Sequence, residues 1–478
     1  MMSALLVSCD DFLDVHAKSE KLESELFKTA KGFEDAIYGV YGSLQQQPMY
    51  GMYLTWAVPE VLAQNLRCGS NTVEALAKYN YTDNDNVRST LASIWQKTYQ
   101  TIGYANNILK NLEENHSPDN LPLYDVYRAE MLGVRAMLHF DMLRLFASTN
   151  MSSPGIPYAT TYDFSVKPFE TVEKVYGLVE KDLLEADSLL GRKDVETLVY
   201  PRTNNDYFKF MNYRETHMNR YAIEALLARV YWMKGDMPNA AKYAELVINS
   251  KKFELANGPE VVNYLAGKLS PKETIFGVYS NSFIETSRMY LFDYNTFASY
   301  NPYYNGEQTG TSYPFPYTEL YNTDHVSSDQ DYRLQHFSPG IGYCTFLKLI
   351  DRYELNEQSD PREDADALIP GITLIHLSEM YLIAAEALLN SNYDLAVRYF
   401  DDEIQSRGLA PFERREKRLD AEMIYNEYCK EMFGEGQIWF NMKRLNRPIL
   451  SNMENRTIEA GDRVYVLPIP ADENEYRD

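Results

Sequence analysis

Two segments of this 478-residue chain combine aromatic rings with the polar groups that bind small neutral ligands. They cover residues 50–88 and 253–371, and both are rich in Tyr, Asn, Pro and Gly. An aromatic face stacks on an apolar ligand face, such as the C–H face of a sugar ring, while Asn or Arg hydrogen-bonds its hydroxyls. The predicted ligand-binding residues are Trp56, Asn65, Arg67, Asn71, Tyr300, Tyr303 and Tyr304. Because Pro and Gly interrupt regular elements, we expect these rings to face solvent in loops.

Tyrosine dominates the aromatic residues, with 39 Tyr against 4 Trp. A Tyr side chain packs like an apolar group while its hydroxyl tolerates a wet surface. We expect most of these rings to pack between helices and a minority to line a polar ligand site.

The sequence lacks the motifs of the common enzyme classes. It contains no GxSxG, HExxH, Walker A or GxGxxG pattern, and its 7 His are dispersed. Carboxylates are abundant, so a glycosidase pair stays open as an alternative. The leading interpretation is a non-enzymatic binding protein without a cofactor or a catalytic metal.

The net charge of -23 excludes a nucleic-acid partner, because a phosphate backbone would be repelled. No apolar run approaches the roughly 20 residues that span a bilayer. The four cysteines are Cys9, Cys68, Cys344 and Cys429, and none forms a CxxC pair. Their spacing leaves open whether a disulfide exists.

The N-terminus predicts a lipid anchor. A short apolar stretch, Ala4-Leu5-Leu6-Val7, is followed by Ser8 and Cys9, which is the order of a bacterial lipobox. We expect Cys9 to be acylated, residues 1–8 to be the remainder of a longer signal peptide, and residues 9–20 to form an exposed tether.

Helical periodicity predicts the elements that position the two loop-rich segments. The stretch from Tyr127 to Phe146 is apolar almost all round, which indicates a central buried helix. Two helical hairpins resemble each other, at 221–248 and 374–404. Superposed, they match Leu226 with Leu382, Ala228 with Ala384, Ala240 with Ala396, Tyr243 with Tyr399, and Ile248 with Ile404. Small residues at helix contacts and a Tyr on the second helix are typical of tetratricopeptide repeats.

The sequence also resembles the SusD/RagB family of Bacteroidetes nutrient-binding lipoproteins, over nearly its whole length. The lipobox is followed by the acidic run Asp10-Asp11-Phe12-Leu13-Asp14. The other similar motifs lie at 95–108, 129–146, 435–444 (the segment containing Trp439) and 466–470. Trp439 and Phe440 are predicted to pack in the core, because they lie on an amphipathic helix.

The resemblance implies a fold, a location and a partner. The expected fold is mainly α, with tetratricopeptide-like hairpins (21–47, 91–250 and 372–445) in a right-handed superhelical scaffold. A single domain, 21–478, would also carry the irregular ligand-binding insertions with short strands. The implied protein is anchored on the outer face of the outer membrane and passes an oligosaccharide to a SusC-like TonB-dependent transporter. Oligopeptide uptake, as in RagB, a surface glycoside hydrolase and a protein-binding scaffold are the alternatives.

Overall fold

The structure, a computed structural model, is dominated by helices. It describes residues 23, 25–67, 70–117, 119–163, 165–191, 209–258, 260–261, 267–291, 301–302, 320–321, 329–339, 344–349, 368–412, 417–451 and 456–475. Cys9, Tyr300, Tyr303 and Tyr304 lie outside these residues. Within them, the strands form only two-stranded antiparallel pairs. The prediction of a mainly α fold that carries irregular segments with short strands is confirmed.

The first half of the chain contains a row of helices, some of which begin at side-chain caps. They are α1 (Ala30–Leu44), a π-helix (Tyr53–Ala57), α2 (Val58–Leu62), α3 (Asn71–Ala77), α4 (Asp85–Asn115), α5 (Tyr124–Phe146) and α6 (Val172–Gly191). The Thr29 hydroxyl caps α1 by accepting from Gly32 N at 3.2 Å. Asn84 caps α4 by accepting from Val87 N at 3.1 Å. These caps satisfy backbone N–H groups that have no partner inside the helix.

Helix α5 is the predicted central helix, and every residue from Ala129 to Phe146 is buried. It packs against α4 and α6. Its buried Arg135 donates to both carboxylate oxygens of Asp182 on α6, at 2.7 and 2.8 Å, and to Asn106 on α4 at 2.9 Å. The charged groups of this helix are therefore paired, as buried ions must be.

The second half continues the helical frame. Its helices are α7 (Arg220–Lys234), α8 (Met237–Asn249), α9 (Phe283–Leu291), α10 (Leu377–Leu388), α11 (Tyr393–Ser406), α12 (Ala421–Glu431), α13 (Ile438–Arg444), α14 (Asp462–Tyr465) and α15 (Asp472–Glu475). Short 3-10 turns lie at Lys209–Met211, Arg214–Thr216 and Tyr332–His336. None of the helices in the described part of the chain is both long enough and apolar enough to cross a membrane.

The two predicted hairpins are confirmed as α7–α8 and α10–α11. Their second helices begin at matching caps: Asp236 accepts from Asn239 N at 3.3 Å, and Asn392 accepts from Leu395 N at 3.4 Å. All ten residues matched between the hairpins are buried: Leu226, Ala228, Ala240, Tyr243 and Ile248 in the first, and Leu382, Ala384, Ala396, Tyr399 and Ile404 in the second. The shared pattern therefore reflects shared packing positions.

The hairpins adjoin each other in space although an insertion separates them in sequence, because α8 packs against α10. Arg229 of α7 donates from Nε to Glu379 Oε1 of α10 at 2.8 Å. Both side chains are buried, so this charge pair fixes one hairpin against the other. Because the 253–371 insertion lies between α8 and α10 in sequence, it connects two helices that pack against each other.

The strands are β1 (Leu66–Arg67), β2 (Pro154–Pro157), β3 (Phe169–Thr171), β4 (Thr274–Tyr279), β5 (Asn301–Pro302), β6 (Phe337–Pro339), β7 (Cys344–Phe346), β8 (Gly371–His376), β9 (Ile449–Leu450) and β10 (Thr457–Ile458). The pair β4–β8 matches Thr274 with His376 and Tyr279 with Gly371. It agrees with the expectation that the insertions contain short strands. Because its strands lie near the two ends of the second insertion, this pair closes the base of that insertion.

Residues 50–88 differ from the loop that their composition predicts. The π-helix, α2 and α3 occupy much of the segment. These helices have five to seven residues each, which is too short for a helical period to emerge from the sequence.

Candidate functional site

The two insertions meet at the β1–β5 pair. Antiparallel pairing places Leu66 opposite Pro302 and Arg67 opposite Asn301. Tyr300 and Tyr303 flank β5 in sequence, and they lie outside the described residues with Tyr304. The backbone thus joins a segment that contains Asn65 and Arg67 to the segment that contains the three tyrosines. We refer to the β1–β5 pair and its flanking residues 65–67 and 300–304 as the junction.

Trp56 does not face solvent, so the expectation of an exposed loop ring is wrong. It lies in the π-helix and its exposed fraction is 0%. Its ring centroid is 6.5 Å from that of Tyr290 on α9. Composition suggested a loop because Pro and Gly are frequent here, but apolar neighbours bury the indole. Its burial gives Trp56 a packing role, while a role in binding remains a proposal.

The C-terminal motif that carries Trp439 docks against the same π-helix. Gly436 adopts φ 76°, and a Cβ atom there would lie 2.4 Å from the carbonyl oxygen of Thr55. The Gly436 N–H donates to Glu60 Oε1 at 2.7 Å. Only glycine fits this close approach. Trp439 and Phe440 are buried, which confirms their predicted core packing.

Asn65 and Asn71 occupy different environments. Asn65 is half-buried, and its amide donates to Glu60 Oε2 at 2.7 Å. Asn71 is exposed at the first position of α3. Burial raises the pKa of Glu60 to about 7, although the hydrogen bonds from Asn65 and Gly436 oppose the shift. Asn65 therefore helps to hold the turn before β1, whereas the side chain of Asn71 is accessible to a ligand.

A cavity of about 150 Å³ is lined by Trp56 together with several buried charged side chains. We call Glu273, Arg333, Arg407, Glu427 and Glu431 the charge network. Arg407 donates to Glu431 Oε1 at 2.6 Å and lies 3.0 Å from Glu273 Oε1. Glu273 directly precedes β4, and Glu431 ends α12. Arg407 thus connects the second insertion to the helical frame.

Arg333, in the 3-10 turn Tyr332–His336, makes a second connection of this kind. It donates to Glu431 Oε2 at 2.9 Å and also pairs with Glu427. Burial alone would raise the pKa of Glu431. The positive charges of Arg407 and Arg333 outweigh this effect and hold the pKa well below its ordinary value. Glu403 is also fully buried nearby, and its desolvation raises its pKa well above the ordinary value. The network fastens the insertion through mutually neutralising charges.

Glu273, His376 and Glu431 have the spacing of a metal site. One potential ligand atom from each lies within 4.8 Å of the others. However, Arg407 already lies 3.0 Å from Glu273 Oε1 and donates to Glu431 at 2.6 Å. His376 Nε2 lies 2.9 Å from Glu435 Oε2. A cation would have to displace a guanidinium from both carboxylates, so the arrangement is an ion-pair network.

Comparison with known proteins identifies the family. A family model described as "Starch-binding associating with outer membrane" matches residues 11–232. The SusD-like protein P2 of Formosa agariphila is 23% identical over 517 aligned positions, which cover 98% of this chain and 94% of that protein. The N-terminal part of the chain therefore matches a SusD-like family, and the similarity to a SusD-like protein extends over nearly the whole chain. The resemblance noted in the sequence is thereby confirmed.

Solved structures agree with the SusD-like fold. A SusD superfamily protein from Bacteroides thetaiotaomicron has a TM-score of 0.73 at 22% identity, covering 94% of this chain and 98% of that one. A SusD superfamily protein from Bacteroides vulgatus gives 0.72 at 21%, covering 94% and 97%. A SusD-like carbohydrate binding protein from B. vulgatus gives 0.69 at 15%, covering 94% and 96%. At these identities the likeness establishes the fold.

The residues that hold the junction in place were not predicted from the sequence. Glu60 accepts from Asn65 and also from Gly436, which lies 376 positions after Glu60 in the sequence. The signal available in the sequence was the Glu435-Gly436 pair before Trp439, because a turn with positive φ often requires glycine. The partner of that glycine could not be inferred without the fold.

Proposed function

We propose that the protein captures an oligosaccharide at the junction and delivers it to a SusC-like TonB-dependent transporter. Binding is reversible and involves no covalent step. The observation that carries the proposal is the pairing of Arg67 with Asn301, which brings the two aromatic and polar insertions together. The family description as starch-binding supports a saccharide as the ligand class.

The proposed site combines rings and polar groups that come from both insertions. Tyr300, Tyr303 and Tyr304 supply the stacking faces, while Arg67 and Asn71 supply hydrogen-bond donors to sugar hydroxyls. Trp56 supports the site from its buried position beside Tyr290. Asn65 contributes through its bond to Glu60, which holds the approach to β1.

The proposed location follows from Cys9. We propose that acylated Cys9 anchors the chain in the outer membrane and that residues 9–20 act as a tether for a single domain at 21–478. The family description as associating with outer membrane supports this placement. A Cys9→Ser variant should move from the membrane fraction to the soluble fraction of cells, and unchanged fractionation would exclude the anchor.

A glycan panel tests the ligand class directly. Purified protein is titrated with neutral oligosaccharides of several linkages and, in parallel, with oligopeptides. The proposal expects saturable binding of at least one glycan, which Tyr303→Ala weakens while the exposed-tyrosine control Tyr162→Ala does not. Binding of peptides alone would favour the oligopeptide alternative. The appearance of new reducing ends in the glycan samples would reveal hydrolysis and contradict a pure binding role.

A further inference from the structure

A groove beside helix α1 presents three half-exposed tyrosines that belong to distant parts of the chain. Tyr38, Tyr213 and Tyr279 are 43%, 52% and 50% exposed, although most described tyrosines are buried or half-buried. They line a depression of about 540 Å³ together with Gln45, Thr216 and His217. That volume falls within the roughly 300–1,000 Å³ of small-ligand sites. We call this depression the tyrosine groove.

Three different elements position these rings. Tyr38 lies on α1, Tyr213 directly precedes the 3-10 turn Arg214–Thr216, and Tyr279 ends β4. Tyr213 has φ 51° and ψ 45°, a left-handed conformation that is unusual for a bulky residue. Thr216 stabilises it, because its N–H and hydroxyl donate to Tyr213 O at 2.8 and 2.9 Å. Strained backbone held by specific hydrogen bonds is common at binding sites.

The inner wall of the tyrosine groove is rigid. The ring of His217 lies 5.8 Å from that of Tyr38 and 5.1 Å from that of Tyr41, centroid to centroid. His217 Nδ1 is 3.1 Å from Glu130 Oε2, and the Tyr41 hydroxyl donates to the same oxygen at 2.7 Å. Arg214 pairs with the other Glu130 oxygen. Burial would raise the pKa of Glu130, but these partners outweigh it and lower the pKa to about 2.

The groove leaves its polar groups available. Within the described part of the chain, the hydroxyls of Tyr38, Tyr213 and Tyr279 and the side-chain amide of Gln45 make no hydrogen bond. With Nδ1 of His217 engaged by Glu130, its Nε2 is the ring nitrogen left for a ligand. Rings with free hydroxyls offer both stacking faces and hydrogen bonds.

The electrostatics of the tyrosine groove select an uncharged ligand. The described residues that line it include no Asp, Glu, Lys or Arg, although the chain carries a net charge of -23. A charged ligand would lose hydration there without gaining an ion pair. A purely apolar ligand would leave the hydroxyls and the amide unmatched. A neutral molecule with apolar faces and a rim of hydroxyls satisfies both requirements.

We propose that the tyrosine groove is a second saccharide-binding site that takes a short neutral segment of a glycan. The tyrosine groove shares no residue with the junction, so this proposal goes beyond the proposed function. It rests on the proposed function only for the choice of oligosaccharide probes. A second contact on the same chain would raise the retention of a long glycan through effective concentration.

Protection from tyrosine nitration tests this site in the intact protein. Purified protein is treated with tetranitromethane with and without maltoheptaose, cellohexaose, xylohexaose or mannohexaose, and nitration is located by peptide mass spectrometry. Tyr104 and Tyr162 serve as internal controls, because they are 42% and 46% exposed and lie outside the groove. At least one oligosaccharide should at least halve the nitration of Tyr38, Tyr213 and Tyr279 and leave both controls unchanged.

Two variants separate the groove from the junction. Tyr213→Asn combined with Tyr279→Ala should abolish the protection of Tyr38, and Asn is chosen because it tolerates the left-handed backbone. Arg67→Ala should preserve the protection. If a glycan binds by calorimetry while the three groove tyrosines stay equally reactive, the groove proposal is overturned and the proposed function stands. Protection by peptides alone also overturns it, and the absence of any glycan binding overturns both proposals together.

Discussion

The interior of each helical hairpin and the base of the second insertion are stabilised mainly by different kinds of contact. The hairpins pack small and apolar residues, with Tyr231 and Tyr243 stacked at a centroid distance of 5.6 Å. The insertion base depends on buried ions, among which Arg407 is 1% exposed. Apolar packing loses stability in proportion to the atoms removed, whereas a buried ion network fails when one partner leaves its counter-ion uncompensated. We therefore expect substitutions in the hairpins to cost stability in proportion to the side-chain atoms removed. In the insertion base, we expect the loss of a single charged residue to be strongly destabilising.

The largest expected effect breaks the charge network. Arg407→Met should lower the free energy of unfolding by about 3–5 kcal/mol, because Glu273 would lose its buried counter-ion and Glu431 would keep only Arg333. Urea denaturation measures the loss. Arg88→Met is the matched control, since Arg88 pairs with Asp85 at the surface and should cost about 0–1 kcal/mol. Equal losses in the two variants would contradict the contrast.

A smaller effect is expected from the hairpins. Leu226→Ala and Leu382→Ala each remove a fully packed side chain from a matched position, and each should cost about 2–4 kcal/mol. The repeat relation predicts that the two losses are similar when both are measured in the same denaturant. A clear loss in one variant and none in the other would show that the matched positions are not equivalent.

Gly436→Ala tests how the C-terminal motif positions the junction. The new Cβ would clash with Thr55 O, and the alanine would have to keep a left-handed backbone conformation. That conformation alone costs about 1–2 kcal/mol. Gly235→Ala is the matched control, because Gly235 has φ 85° but open space around its Cβ position. The variant at Gly436 should lose more stability and also weaken glycan binding. Identical unfolding midpoints would refute the docking role.

The smallest effect concerns pH. Burial raises the pKa of Glu60 from its ordinary 4.5 to about 7, so the folded protein retains a proton that the unfolded chain releases. The stability contributed by this proton is complete below pH 4.5 and is lost as the pH rises toward 7. Between pH 5 and 6 the loss should be about 1 kcal/mol per pH unit. Glu60→Gln should flatten this part of the stability profile, and an unchanged slope would rule out Glu60 as its source.

Elements in which a hydrophobic pattern repeats over many residues were predictable from the sequence. Helix α5, the two hairpins and the strand ending at Tyr279 each repeat a pattern over enough residues to be recognised. The junction was not, because β1 and β5 have only two residues each and lie more than 200 positions apart. Short strands carry almost no local signal, and their pairing is set by the fold around them.

The site residues show the same limit. Composition placed Trp56 in an exposed loop and could not show that neighbouring side chains bury its ring. The tyrosine groove was missed altogether, because Tyr38, Tyr213 and Tyr279 lie in three separate elements. The acidic members of the charge network could not be recognised among the 69 acidic residues of the sequence, because only the fold shows which carboxylates are buried and paired.

The most direct test of the account is a calorimetric titration of the wild-type protein and Arg67→Ala with one glycan that the panel identifies. The account predicts that the Kd at the junction weakens by about tenfold or more, which corresponds to a loss of about 1.4 kcal/mol, while the unfolding midpoint stays constant. An unchanged Kd in Arg67→Ala would contradict the claim that the meeting of the two insertions forms the ligand site.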